Sequence, residues 1–338
     1  MEIDGYRTFE LITKERSILG TETNPVLKDK GIFLYSAAGV GSKIKIKGNR
    51  YYEYILALNS DKIDDELRMN LNIIATAITS QIKQLRYSQS AINLTADIDK
   101  ARQLQKSILP EHELRFGDYE LYGITDPAEI IGGDFFDYLE AGEENERLGI
   151  AIGDAASKGI SAAAEAMYIS GALRMATGFE IKITTLMRRM NELVNKIFED
   201  DKFATLFYGE LTKHKSGLFL YTNAGHNPPI FYKAKSGIVD TLDTTGLLLG
   251  PAPNAQYYLE SINFAKGDVL LLFSDGITET MNSKSMAYGE ERLINKLKEV
   301  NSLSSKEIVF EILDEVVKFS KNGNYNDDKT LVAIKKIV

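Results

Sequence analysis

Val269-Leu270-Leu271-Leu272-Phe273-Ser274-Asp275-Gly276 carries the pattern on which the chain turns: an unbroken apolar run that ends on an acidic residue. The pattern recurs as the run 148–152 ahead of Gly153-Asp154, and in mirror image as Asp327-Asp328 ahead of the run 330–334. Short apolar runs of this kind read as buried β-strands, and a strand end is where a scaffold holds a functional side chain firmly. Gly132-Gly133-Asp134-Phe135-Phe136-Asp137 adds another acidic motif, and Asn223-Ala224-Gly225-His226-Asn227 lies between them. If these ends converge, several carboxylates share one small volume. Two carboxylates about 4 Å apart repel by about 4 kcal/mol at an effective dielectric of about 20. Such a cluster calls for cations, and an all-oxygen donor set selects hard ones such as Mg²⁺ or Mn²⁺.

Composition narrows the rest. A length of 338 residues suggests two domains, or one large domain with an extension, and 44% hydrophobic content sustains a packed core. The net charge of -8 argues against nucleic acid or an anionic membrane as partner. No apolar run approaches the roughly eighteen residues of a transmembrane helix. Met1-Glu2-Ile3-Asp4-Gly5 has no signal-peptide pattern, so the expected location is cytoplasmic. The chain has no cysteine, which excludes disulfides, thiolate metal sites and a cysteine nucleophile. Its 3 histidines, His112, His214 and His226, show no i, i+4 pair, which disfavours His-rich metallohydrolases and a Ser-His-Asp triad. A metal hydrolase built from this chain has to work with aspartates.

Along the chain, residues 1–64 read as a small mixed α/β region with strands at 32–36, 43–47 and 51–58 and turns at Gly39-Val40-Gly41 and Gly48-Asn49. Gly39-Val40-Gly41-Ser42-Lys43 lacks the spacing of a phosphate loop and reads as a hairpin turn. From 65 to 110 the spacing of Leu67, Leu71, Ile74, Ile78, Ile82 and Leu85 predicts helix, closed by Pro110. That length fits two core helices or one long linker that dimerises as a coiled coil. Beyond 111 the reading is strands at 119–124, 135–140 and 148–152, helices at 161–177 and 184–198, and strands at 205–211, 218–222, 229–232, 238–242, 257–264 and 269–273. Helices at 290–300 and 306–320 and a strand at 330–334 complete it. Hairpins interleaved with helix pairs predict an α+β fold, an αββα sandwich of two antiparallel sheets flanked by helices.

Residues 99–338 resemble a SpoIIE-type phosphatase domain, the bacterial branch of the metal-dependent serine/threonine phosphatases of type 2C. The resemblance rests on Ala101-Arg102-Gln103-Leu104-Gln105-Lys106-Ser107-Ile108-Leu109-Pro110, on Gly132 to Asp137, on Gly153-Asp154 with Lys158-Gly159, on Asn223 to Pro229, on Gly267-Asp268 leading to Ser274-Asp275-Gly276-Ile277-Thr278-Glu279, and on Asp327-Asp328-Lys329-Thr330-Leu331. It implies two Mn²⁺ or Mg²⁺ ions between the sheets, with Asp154 bridging them and the carbonyl of Ala155 as a further ligand. Asp275 and Asp327 would hold one ion, and Asp134 would act at the site directly or through water. The chemistry implied is hydrolysis of phosphoserine or phosphothreonine on a partner protein, with no covalent phosphoenzyme.

Other residues have plainer readings. Asp137 is expected behind the ligands, Asp328 diverges from its neighbour Asp327, Lys158 is an exposed lysine beside the loop or a phosphate contact, and His226, near Asn223, reads as a structural hydrogen-bonding residue. Gly132-Gly133-Asp134-Phe135 also resembles the signature of diguanylate cyclases, but the glutamate of that signature is missing. Ser157 stands where the family usually has glycine, which would remove a residue tolerant of positive φ. The residues before the catalytic region resemble the linker of RsbU-like members, and residues 1–64 resemble part of a GAF sensor. By the same resemblance the substrate is a STAS-type anti-sigma-factor antagonist in a partner-switching pathway, with an upstream activator. The rival expectation is a phosphatase-fold module that regulates by docking alone.

Overall fold

The computed structural model describes residues 17–20, 35–46, 49–59, 64–142, 146–179, 181–199, 202–213, 217–320 and 327–338. The chain divides into two compact units, Met1–Asp97 and Ile98–Val338. Among the described residues no helix is long and apolar enough to cross a membrane.

In the first unit, β1 (Ser17–Gly20), β2 (Tyr35–Ile46) and β3 (Asn49–Asn59) form an antiparallel sheet in that order. The turn expected at Gly39-Val40-Gly41 is not there. β2 runs straight through it, and the ladder to β3 shifts register between Val40 and Lys43. The glycines thus mark a bulge in a long strand, a role glycine serves as readily as a turn. The expected strand residues 32–34 and 47, and the turn residue Gly48, lie outside the described residues. Helix α1 (Asp65–Ile108) is one continuous helix of 44 residues rather than two. Its Leu71 and Ala75 bury against Ala38 and Val40 of the sheet. Gly41 donates its amide to Thr79 Oγ1, and Arg86 pairs with Glu53 at 2.8 Å.

The second unit contains β4 (Glu113–Phe116), β5 (Tyr119–Asp126), β6 (Phe135–Ala141), β7 (Arg147–Ala155), α2 (Ile160–Thr177), α3 (Ile183–Ile197), β8 (Ala204–Thr212) and β9 (Leu218–Ala224). It continues through β10 (Ile230–Lys233), β11 (Ile238–Thr241), β12 (Glu260–Asn263), β13 (Val269–Phe273), α4 (Asp275–Thr278), α5 (Glu290–Val300), α6 (Ser305–Phe319) and β14 (Lys329–Lys336). Two antiparallel sheets result, one in the order β11-β10-β13-β14-β5-β4 and the other β12-β9-β8-β7-β6.

Period-2 alternation explains why the central strands read as unbroken apolar runs. In β13, Leu270 and Leu272 face the layer between the sheets, while Val269, Leu271 and Phe273 face α5 and α6. β14 repeats this with Val332 and Ile334 against Leu331 and Ala333. On the other sheet, Leu148, Ile150 and Ile152 of β7 join the inter-sheet layer, and α2 and α3 cover the far face through Ile169, Leu173, Leu186, Met190 and Val194. A strand buried on both faces has no polar positions to spare. The αββα sandwich expected from the sequence is the architecture observed. β4 and the single-turn α4 are additional, and the strand expected over 257–264 shrinks to Glu260–Asn263, with Tyr257 making only an isolated bridge to Gly246.

Leu272 is fully buried between the sheets, so Leu272→Ala is expected to destabilise the chain by about 2–5 kcal/mol. A urea titration followed by circular dichroism should show a lower midpoint with an unchanged slope; an unchanged midpoint would contradict this packing.

Candidate metal centre

Strand pairing delivers the acidic motifs to one end of the sandwich. β13 and β14 are neighbours, with Phe273 opposite Leu331, so Asp275 at the start of α4 and Asp327-Asp328 just before β14 emerge side by side. The junction is stitched by Ser274, whose amide donates to Thr330 O at 3.0 Å and whose hydroxyl accepts the Thr330 amide at 2.9 Å. From the opposite sheet, Asp154 comes in on the last turn of the β7 ladder, paired with Thr205 of β8. Between them lies a cleft of about 140 Å³, walled by Gly132, Gly133, Asp154, Ala155, Ser157, Lys158, Asp327 and Asp328 among others.

The electrostatics of this end are adverse for an ion-free chain. Burial, followed by the charges of Asp275, Asp327 and Asp328, pushes Asp154 up to about 7. Asp275 is raised by burial and by Asp327. Asp134, only 3% exposed, is raised by burial and by Asp154, although hydrogen bonds from Ser274 and Thr330 oppose the shift. Among the described residues no three acidic or histidine side chains close into a ready ion cage. The donor chemistry nonetheless fits a hard cation, since it consists of carboxylates and the Ala155 carbonyl, all oxygen. Gly133 leaves these atoms open: a Cβ there would lie 2.9 Å from Ala155 O and 3.3 Å from Asp154 Oδ1.

The expected site residues fall into three groups. Asp154, Ala155, Asp327 and Lys158 wall the cleft, and Lys158 is exposed there. Asp275 stands beside them within electrostatic reach of Asp154 and Asp327 without forming the wall. Asp328 also reaches the cleft, but its carboxylate is occupied by backbone amides: Ala128 N at 2.8 Å, Gly133 N at 2.6 Å and Asp134 N at 3.3 Å.

The remaining candidates do not line this cleft, and each is held by partners of its own. Asp134 is turned inward, accepting from Thr330 Oγ1 at 2.8 Å, because the buried Ser274–Thr330 pair offers the donors its carboxylate needs. Asp137, expected behind the ligands, is fully buried under α2, paired with Arg174 at 2.6 Å and with Ser170 at 3.1 Å. Asn223 and His226 brace their own loop through Asn223 Nδ2 to His226 O and His226 N to Asn223 Oδ1, while the imidazole meets Thr205 Oγ1 at 2.9 Å. Burial pushes His226 down to about 4, so it is neutral at ordinary pH. Ser157 costs no backbone strain: among the described residues Ser285 alone of the non-glycines has positive φ, and the Ser157 hydroxyl bonds Glu165 at 2.7 Å. Sequence reasoning missed Gln105 as a contributor to this end of the fold, although it stands in a motif that carried the resemblance.

The raised carboxyls have a consequence for the ion-free chain. Folded Asp154 keeps its proton up to about 7, whereas the unfolded chain releases it near the ordinary 3.8. The folded state therefore holds more protons across that window, and stability falls as pH rises through it. Thermal melts in EDTA should show a midpoint that drops from about pH 5 to about pH 7.5; a rising midpoint would contradict the clustering.

Residues 144–336 match the family described as Stage II sporulation protein E (SpoIIE). The phosphoserine phosphatase RsbU of Bacillus subtilis (strain 168) is 28% identical over 248 residues, covering 72% of this chain and 71% of RsbU. Protein IcfG of Synechocystis sp. is 27% identical over 290 residues, which is 78% of this chain but only 44% of that protein. The SiaA-PP2C domain of Pseudomonas aeruginosa superposes with a TM-score of 0.62 at 15% identity, covering 73% of this chain and 98% of that domain, a likeness of fold alone. With more than half of its 338 residues matched by the family, the chain belongs to the SpoIIE family and is an RsbU/SpoIIE-type phosphatase of the type 2C class.

Proposed function

We propose that the chain hydrolyses phosphoserine or phosphothreonine on a partner protein, using two Mn²⁺ or Mg²⁺ ions held by Asp154, the Ala155 carbonyl, Asp275 and Asp327. The observation that carries this reading is the delivery of Asp154 and Asp327 from opposite sheets into one all-oxygen cleft. When bound, such ions supply Lewis acidity and an acidified water. The chain's own residues do the rest. Asp154 and Asp327 orient the charge that faces the phosphoryl group. Lys158, exposed on the cleft wall, is placed to meet a phosphate oxygen as a point charge. Asp328 spends its carboxylate on holding the Ala128–Asp134 backbone. Asp134, catalytic by family resemblance, acts here by bracing Thr330 at the root of β14.

RsbU is a phosphoserine phosphatase by name, and the linker resemblance supports a partner-switching role with a STAS-type anti-sigma antagonist as substrate and an upstream activator. A homodimer through residues 65–110 is supported by apolar side chains that α1 leaves outward at a seven-residue interval, Leu85 at 68% and Ile92 at 62% exposure. The GAF-like sensor assignment of residues 1–64 belongs to the same proposal, and so does a cytoplasmic location.

Two measurements test it. Asp154→Asn should lower Mn²⁺-dependent release of p-nitrophenol from p-nitrophenyl phosphate by at least about 10²-fold, about 3 kcal/mol of transition-state stabilisation. Equal rates in EDTA and in Mn²⁺ would instead favour the docking-only module. Gly276→Ala should also abolish turnover, because its Cβ would stand 2.0 Å from Asp328 O and force apart the β13–β14 exit. Full activity in that variant would place the chemistry elsewhere.

A further inference from the structure

Gln105 lies near the C-terminal end of α1 and is 7% exposed. Its Nε2 donates to the Gly132 carbonyl at 2.6 Å, and its Oε1 accepts the Gly132 amide at 3.3 Å. One side-chain amide thus satisfies both backbone groups of one loop residue, as a neighbouring strand would. The same loop is gripped from its other side by Asp328, which takes the Gly133 amide at 2.6 Å. A Cβ on Gly132 would come within 2.2 Å of the Asp328 carboxylate, so the loop has no slack between the two. The next residue, Gly133, is the one that leaves the Ala155 carbonyl and Asp154 open to the cleft. A second tether fixes the helix end itself: Arg174, paired with buried Asp137, donates through Nη2 to the Ile108 carbonyl.

We infer that Gln105 is a positioning residue for the metal cleft: its amide sets the height of Gly132-Gly133, and with it the separation of the Asp154–Ala155 oxygens from Asp327. This rests on the metal-site reading proposed above. Gln105 touches no reacting atom; it acts through the loop. Outer partners that orient ligands move metal affinity as well as rate.

The test uses the full chain and Mn²⁺ alone, titrated by calorimetry, with p-nitrophenyl phosphate kinetics alongside. Gln105→Leu is expected to weaken Mn²⁺ binding about tenfold or more and to lower kcat, with KM for p-nitrophenyl phosphate little changed. Gln105→Glu keeps an acceptor for the Gly132 amide but has no donor for its carbonyl, and should fall between wild type and Gln105→Leu. Ser107→Ala, which alters only a bond to Leu104 O within the helix, should match wild type. Hydrogen exchange on the wild-type chain guards against a variant that does not fold. Mn²⁺ should slow exchange at residues 103–108 together with 130–134, and protection confined to 130–134 would overturn the inference. A folded Gln105→Leu with wild-type Mn²⁺ affinity would also overturn it while leaving the metal reading intact. A wild-type chain that takes up no Mn²⁺ would overturn both.

Discussion

The carboxylate of Asp328 is the interaction on which this end of the molecule depends. It accepts the amides of Ala128, Gly133 and Asp134, nearly two hundred residues away in the chain, and so pins the loop before β6 to the start of β14. Buried amides without partners are costly, and a carboxylate that accepts several of them is held firmly in return. The loop carries the glycines that leave the Ala155 carbonyl exposed; the strand start carries Asp327. One carboxylate therefore joins the two sheets at the place where their acidic ends meet. Asp328 turns to the loop, while its neighbour Asp327 stays exposed on the cleft wall.

This arrangement divides the acidic residues by role more sharply than their number suggests. Asp154 is held in a half-buried position where the fields of Asp275, Asp327 and Asp328 all disfavour its charge. Asp134 and Asp137 are buried deeper, and each is furnished with donors of its own, Thr330 and Ser274 for the first, Arg174 and Ser170 for the second. Burial raises both, yet these carboxylates are bonded into the frame. The poorly satisfied ones at the cleft keep their repulsion, which a divalent cation converts into binding energy.

Much of the frame was legible because the central strands are buried on both faces. Such a strand has to be apolar throughout, and β7, β13 and β14 announce themselves together with the acidic residues at their ends. The longer helices of the second unit were legible from composition and spacing, whereas the single-turn α4 was not. The failures share a cause: they occur where local sequence is ambiguous and a distant partner decides. Gly39-Val40-Gly41 has turn chemistry, yet pairing with β3 carries it through as a bulge. The strand expected at 257–264 is mostly loop, since only Glu260–Asn263 finds the edge of β9. Asp134 and Asp137 carry the same side chain three residues apart. That neither lines the cleft could not be read before Thr330 and Arg174 were in place.

The long helix shows the limit of periodicity from another side. Its Leu71 and Ala75 are buried by the first unit's sheet, whereas Leu85 and Ile92 are exposed, so one apolar stripe changes its surroundings along its length. Its last turns lie in the second unit, where they make polar contacts: Gln105 to the backbone of Gly132, and Ile108 O to Arg174. Polar contacts leave no hydrophobic signature in a sequence, which is why a helix read as a linker also turns out to hold the wall of the cleft. A directional bond transmits a displacement of a fraction of an ångström more faithfully than an apolar contact does, because its strength falls steeply with angle and distance. A cleft built on oxygen ligands responds to shifts of that size, and α1 ends in bonds of that directional kind.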